Sequence, residues 1–297
     1  MTAYINGKQG IVYVGNEAFV TIAYTFPRLS DGNYDLWIAG LQVNDDNKNK
    51  LGEIIADLDD EALERYFADE MDITFDETDN TLTLKNAIIR TDVNGIESKM
   101  PDLNIKLIGD NIIGALSGTG IYLYETEYEG ATTFFGGGSL NIESDNPGIR
   151  TQVDVVMKDG VQITAESAYI GIQGKTGDTG TTLPTLTLEG RETILKAKGE
   201  ARSSLASFSA LILNDGLAIL EPIEATFAEN VGIVKDGVPV VNEWVMIANQ
   251  DYIDGIKDLN VDLNHNDGWY SLDGRKLWGK PTQRGIYIKD GKKMLIK

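Results

Sequence analysis

Cysteine is absent from the 297 residues, and the chain holds a single histidine, His265. The first absence excludes disulfides, thiolate zinc sites and cysteine nucleophiles, and it leaves the compartment open. The second excludes histidine triads and histidine metal clusters within one chain. Positive charge is also scarce: 26 Lys and Arg stand against 46 Asp and Glu, for a formal net charge of −20. Such a surface repels phosphate backbones and anionic lipid, which argues against binding nucleic acid or a membrane surface. No apolar run approaches the ~20 residues of a membrane-spanning helix. The opening MTAYINGKQGIVYVGNEAF has neither the basic start nor the continuous apolar stretch of a secretory leader.

What the chain does have is a short apolar theme that recurs from Thr81 to about Phe227. Two or three alternating apolar residues, a turn-forming residue, a second apolar strand and a Gly-Ile step follow one another. Copies include TLTLKNAII with Gly95-Ile96, NIKLIGDNII with Gly120-Ile121, TFFGGGSLNI with Gly148-Ile149, and TLTLEGRETIL with Ser204-Leu205. With Leu82, Ile105, Phe135, Val155, Leu186 and Leu211 taken as equivalent, the steps are 23, 30, 20, 31 and 25 residues, one coil of a solenoid each. Asn86, Gly109, Gly137, Asp159, Gly190 and Asp215 stand where each coil turns, and these residue types tolerate left-handed backbone angles. Alternation sets Leu82, Leu84 and Ile88 on one face with Thr83 and Lys85 on the other. An all-β, right-handed parallel β-helix follows, with an antiparallel sandwich as the competing architecture on strand spacing alone.

The expected organisation is N-terminal strands and a helical cap over 1–75, the β-helix over 76–250, a polar linker over 251–268 and a small β module over 269–297. In the first segment IVYV and FVTIAYTF read as strands. Asp57 to Met71 has Leu58, Ala62, Leu63, Tyr66 and Phe67 at helical spacing behind an aspartate cap, a lid for the open solenoid end. VGIVKDGVPVV, with a hairpin turn at Asp236-Gly237, reads as the closing coil. The last segment pairs Trp269 to Leu272 with Lys276 to Trp278 across Asp273-Gly274, and Ile286 to Ile288 with Met294 to Ile296 across Asp290-Gly291. It is basic, from Arg275 to Lys297, where the body is acidic.

Two resemblances attach to these residues. From Tyr34 to Ile247, through YDLWIAGLQV, TLTLKNAII, GGGSLNIES and GIVKDGVPVV, the chain resembles a family of bacterial carbohydrate-binding parallel β-helix proteins that share the pectate-lyase fold. The tail, through YSLDGRKL, Gly285-Ile286-Tyr287-Ile288 and Lys292-Lys293 before MLIK, resembles the C-terminal sorting module of secreted and surface proteins of Bacteroidetes. The first implies binding of acidic or plant-type polysaccharide or a cell-surface glycan, with calcium in characterised members, although no calcium ligands map onto positions here. The second implies recognition by a secretion machinery and a place outside the cell or on its outer surface, with a signal peptide missing from the sequence given.

Candidate chemistry is sparse. The polygalacturonase-type sets Asn-Thr-Asp, Gly-His-Gly and Arg-Ile-Lys are missing. Arg90 and Asp92 share strand parity, with Arg150 on a neighbouring coil, but solvated outward charges account for them as well, and no catalytic residue is assigned. Asp258 to Gly268 alternates oxygen-bearing side chains yet lacks the glutamate that closes an EF-hand loop, so it reads as linker. TFFGGGSL lacks the helix and lysine of a phosphate loop and reads as a coil corner. For sugar, TGIYLYETEYEG turns Ile121 and Leu123 inward and leaves Tyr122 and Tyr124 outward, where aromatic rings can pack on sugars. The long steps carry insertions at Glu125 to Thr132 and Gly174 to Leu183, both after the Gly-Ile strand and so on one flank. Tyr122, Tyr124, Tyr128 and Asp178 are the expected ligand contacts. Three functions stay open: a non-enzymatic exported polysaccharide binder or adhesin, a polysaccharide lyase or glycoside hydrolase on the same fold, and a structural surface spacer.

Overall fold

The computed structural model describes residues 2–5, 8–14, 20–23, 32–52, 71–125, 130–177, 182–251, 269–270, 276–277, 281, 285–289 and 292–296. The helix expected over Asp57 to Met71 (apart from Met71 itself), the Asp258 to Gly268 linker, His265, Tyr128 and Asp178 lie outside them. Leu51, Gly52 and Asp251 are helical, and every element whose bounds fall among the described residues is a strand. The core is a parallel β-solenoid of about five coils, each contributing one strand to each of three stacked sheets.

Sheet I runs through Thr81–Lys85, Asn104–Ile108, Ala131–Phe135, Asp154–Met157, Thr185–Leu188 and Ala210–Leu213. Sheet II follows in each coil with Ile88–Thr91, Asp110–Ala115, Ser139–Ser144, Gln162–Ser167 and Ile194–Gly199. Sheet III closes the coil with Ile96–Ser98, Ile121–Leu123, Ile149–Thr151, Ile172–Gly174 and Leu205–Ala206. All six expected corner residues have positive φ: Asn86 49°, Gly109 64°, Gly137 75°, Asp159 58°, Gly190 86° and Asp215 55°. The turn from sheet I to sheet II is therefore a left-handed residue repeated coil after coil, which is why only Asn, Asp and Gly occupy it.

These corners also correct two details of the expected pattern. A left-handed residue resets the alternation, so Ile88 faces out and Ala87 and Ile89 face in, both essentially without exposure. In sheet I the rung of Leu82 and Ile105 continues through Phe134, Met157 and Leu188 rather than through Phe135 and Val155. Phe135 pairs with Lys106 on the outer side. The coils then differ in length only where a loop is inserted.

Interior ladders hold the coils together. On sheet III, Ile38, Ile96, Ile121, Ile149 and Ile172 stack rung on rung, and each is buried. The Gly-Ile step gains its meaning here. A Cβ on Gly120 would lie 2.2 Å from Ile142 Cγ2 and 2.4 Å from the Gly148 carbonyl, and one on Gly148 would lie 2.6 Å from the Gly171 carbonyl. Glycine is needed there because successive coils touch backbone to backbone, with no left-handed φ involved.

Antiparallel strands end the parallel stack on both sides. Asn33–Ile38 pairs with Ile96–Ser98 and forms a hairpin with Leu41–Asn44, while Asp72–Asp76 pairs with Thr81–Lys85. At the far end Val245–Asn249 inserts antiparallel between Ile194–Gly199 and Leu217–Glu221. Gly232–Lys235 pairs with Leu205–Ala206 and makes the expected hairpin with Val238–Pro239 through Asp236 and Gly237. Two separate sheets complete the chain. Thr2–Ile5, Lys8–Val14 and Val20–Ala23 form one, and the tail forms the other, with the two expected hairpins joined through Trp269–Tyr270 and Gly285–Lys289.

Candidate functional site

The outward row of sheet III carries the densest chemistry of the solenoid. Strand alternation buries Ile121 and Leu123 and turns Tyr122 out, and register aligns Trp37, Glu97, Tyr122, Arg150 and Gln173 on successive strands. The row advances one strand spacing, about 4.8 Å, per coil. Tyr122 and Tyr124 stack face to face, with ring centroids 3.8 Å apart and planes 18° apart. Arg150 lies over Tyr122 with its guanidinium carbon 5.4 Å from the centroid. Lys99 sits between Tyr124 and Trp37, its ammonium 5.1 Å and 5.6 Å from the two centroids. Cation and aromatic ring thus alternate along one face, each contact of a kind that attracts.

The stack decides how a ligand would meet it. Each tyrosine covers one face of the other and has a cation within 5.4 Å of its ring centroid, so hydroxyls, ring edges and the two cations are what this surface offers beside the stack. Arg150 donates Nε to Gln173 Oε1 at 3.1 Å, and among the described residues neither Arg150 nor Lys99 has a carboxylate partner. Two cations without a carboxylate partner among the described residues thus stand beside the aromatic rings, on a chain of charge −20 and with Glu97 in the same row.

The insertions reach this same flank. Gln152 accepts a hydrogen bond from Glu125 N at 3.2 Å and donates to the Thr176 carbonyl at 3.2 Å, tying the base of one insertion to the base of the other. Tyr122 and Tyr124 are therefore brought together as the sequence suggests. Trp37, Lys99 and Arg150 complete the face, and sequence reasoning did not place them there. Their signal was available: Trp37 has outward parity in YDLWIAG, and Arg150 follows the Gly148-Ile149 step just as Tyr122 follows Gly120-Ile121.

Beside the row, an open cleft of about 500 Å³ is lined in part by Trp37, Asp92, Asn94 and Glu97. A larger groove of about 960 Å³ runs over sheet II past Arg90, Asn141, Glu143 and Glu166. Arg90, Asp92 and Arg150 thus fall on three different features and do not form one centre. In the groove, Glu143 and Glu166 occupy adjacent rungs, and Lys198 bonds Glu166 at 2.9 Å. That hydrogen bond holds the Lys198 ammonium above its ordinary pKa. Among the described residues no three carboxylate or histidine side chains converge as a metal site would need.

No family model, no curated protein and no solved structure matches the chain. What fold and face define together is a class: an acidic parallel β-solenoid with a cation–aromatic row on its third sheet.

Proposed function

We propose that this protein binds polysaccharide without cleaving it, along the outward row of sheet III. The observation that carries the reading is the continuous run of Arg150, Tyr122, Tyr124, Lys99 and Trp37 on one face. A polymer lying along the solenoid axis crosses these side chains in succession, with tyrosine hydroxyls and ring edges for hydroxyl and C–H groups and two cations for carboxylates. Tyr128 and Asp178, outside the described residues, belong to this reading as further ligand contacts. The basic tail belongs to this reading as an address for a secretion machinery, with the protein working outside the cell or on its outer surface.

A glycan array probed with the full chain, with calcium and with chelator, tests the reading. Binding without product, lost on Tyr122→Ala together with Tyr124→Ala, supports it. Unchanged affinity of that double variant removes the assigned face, and silence across the array favours a structural spacer. A second reading has its own observation: Glu143 and Glu166 on adjacent rungs of the sheet II groove have the residue types and proximity for glycoside hydrolysis. New reducing ends abolished by Glu143→Gln would favour that hydrolase; unsaturated ends would point to a lyase.

A further inference from the structure

We infer that the cleft beside Trp37 is a subsite for a single uncharged hexopyranose ring. This rests on the glycan-binding reading and adds the class of sugar. Register fixes the cleft's place. Trp37 lies opposite Glu97, and Ala39 donates its N–H to the Gly95 carbonyl at 2.8 Å. The Gly40 turn and the corner at 92–97 therefore lie together beside Trp37. Lys99 donates its backbone N–H to the Asp35 carbonyl at 2.8 Å, and its ammonium lies over the indole, 5.6 Å from the centroid. The cleft side is left to Gly40, Asp92, Asn94, Glu97 and Ser117.

The polar groups on that side are acceptors held ready. Glu97 receives Asn94 Nδ2 at 3.0 Å, and Asn94 is itself fixed because its Oδ1 accepts the Thr119 N–H at 2.9 Å. Glu97 is thus aimed by a residue that is itself anchored, with one carboxylate oxygen left over. Asp92 makes no hydrogen bond or ion pair among the described residues, and its carboxylate is exposed on the cleft. An aromatic wall facing two carboxylates suits a pyranose ring, whose C–H face packs on the indole while neighbouring hydroxyls donate charge-assisted hydrogen bonds. A uronate would set its own carboxylate against Asp92 and Glu97 and be repelled. The cleft therefore selects against the charge that Arg150 welcomes farther along the row, and a polymer that uses both places carries uncharged and acidic units.

The experiment uses the full chain labelled with 5-fluorotryptophan, with the Trp37 resonance assigned among the four tryptophans by its loss in Trp37→Phe. Methyl glucoside, methyl galactoside, methyl mannoside, methyl galacturonide and glucosamine are titrated by fluorine NMR. The expected result is saturable movement of the Trp37 signal with at least one uncharged hexoside, at least tenfold weaker in Asp92→Asn and absent with methyl galacturonide. The inference is overturned by no movement with any uncharged hexoside, by equal movement with the galacturonide, by tenfold tighter binding of glucosamine, or by indifference to Asp92→Asn. Array binding that persists and depends on Tyr122 and Tyr124 while Trp37 stays silent would remove the subsite alone, whereas loss of both removes the glycan reading itself.

Discussion

At the scale of single residues, Asn111 shows how a polar side chain can belong to the core. It is fully buried in a rung otherwise filled by Ala87, Leu140, Ile163 and Leu195. Its Oδ1 accepts the Ala87 N–H at 2.9 Å, and its Nδ2 donates to the Ser139 carbonyl at 2.9 Å, so one amide links three coils. Replacing it with alanine leaves those backbone groups unsatisfied, and Asn111→Ala should lower unfolding free energy by about 1–3 kcal/mol in a denaturant titration; a loss under about 0.5 kcal/mol would contradict the role. Lys48 makes a pH-dependent contribution. Its ammonium bonds Glu77 and also reaches Asp45 and the Tyr34 hydroxyl. The Glu77 bond raises the Lys48 pKa and lowers that of Glu77, and Asp76 is lowered by its bonds from the Thr78 hydroxyl and N–H. Carboxylates with depressed folded pKa values stabilise above their unfolded values and lose that effect as pH falls through the folded ones. Acid unfolding should therefore steepen below about pH 4, and Lys48→Met should reduce the pH dependence in that window by less than about 1 kcal/mol, since Glu77 is partly exposed and screened. A variant with the parent's acid profile would show that the pair does not matter. The corner residues were legible in the sequence because their chemistry is local. Asn111 was not, since nothing in NIKLIGDNII says that this amide turns inward; that depends on the coils before and after it.

At the scale of elements, strand parity set the reliability of each reading. The Ile121, Tyr122, Leu123 alternation lies within one strand and was read correctly. Ile88 and Phe135 were misplaced because a left-handed corner or a loop of variable length intervenes, and alternation does not carry across either. The glycines before four of the five parallel sheet III strands, Gly95, Gly120, Gly148 and Gly171, make the element-level prediction. Gly120→Ala drives a methyl into Ile142 and the Gly148 carbonyl and should cost about 1–3 kcal/mol by overpacking. Gly237 has φ of 76° but nothing within 4 Å of a new Cβ, so Gly237→Ala should cost only the left-handed strain of about 1–2 kcal/mol. The two separate in crystal structures of the variants: Gly120→Ala should shift the neighbouring coils apart, and Gly237→Ala should leave them in place. Undisturbed coil spacing in Gly120→Ala would contradict the close-approach account. The cation–aromatic row belongs to this scale too. Tyr122 and Tyr124 were visible as neighbours in one strand, but Trp37 and Arg150 join them only through pairing between strands far apart in the chain.

For the whole molecule, the solenoid repeat and its acidic charge were readable, because both are sums over many residues. The form of its ends was not. The closing segment containing Asp236-Gly237 reads as one more coil, yet its strands run antiparallel and stop the stack. Ile247 is fully buried between Leu195 and Ile219 in that cap. A charge there should lift the cap and bare the last coil, so Ile247→Lys should turn a soluble species of fixed size into concentration-dependent aggregates by light scattering; unchanged size would show that the cap strand is dispensable. The proposed function has polymer meeting the cation–aromatic row of sheet III. The affinity of the full chain for its best array glycan, measured by calorimetry for parent, Tyr122→Ala with Tyr124→Ala, and Glu143→Gln, tests that claim most directly. The account predicts at least a tenfold loss in the tyrosine variant and none in Glu143→Gln. Equal affinity in the tyrosine variant, or loss only on Glu143→Gln, would contradict it and move the site to sheet II.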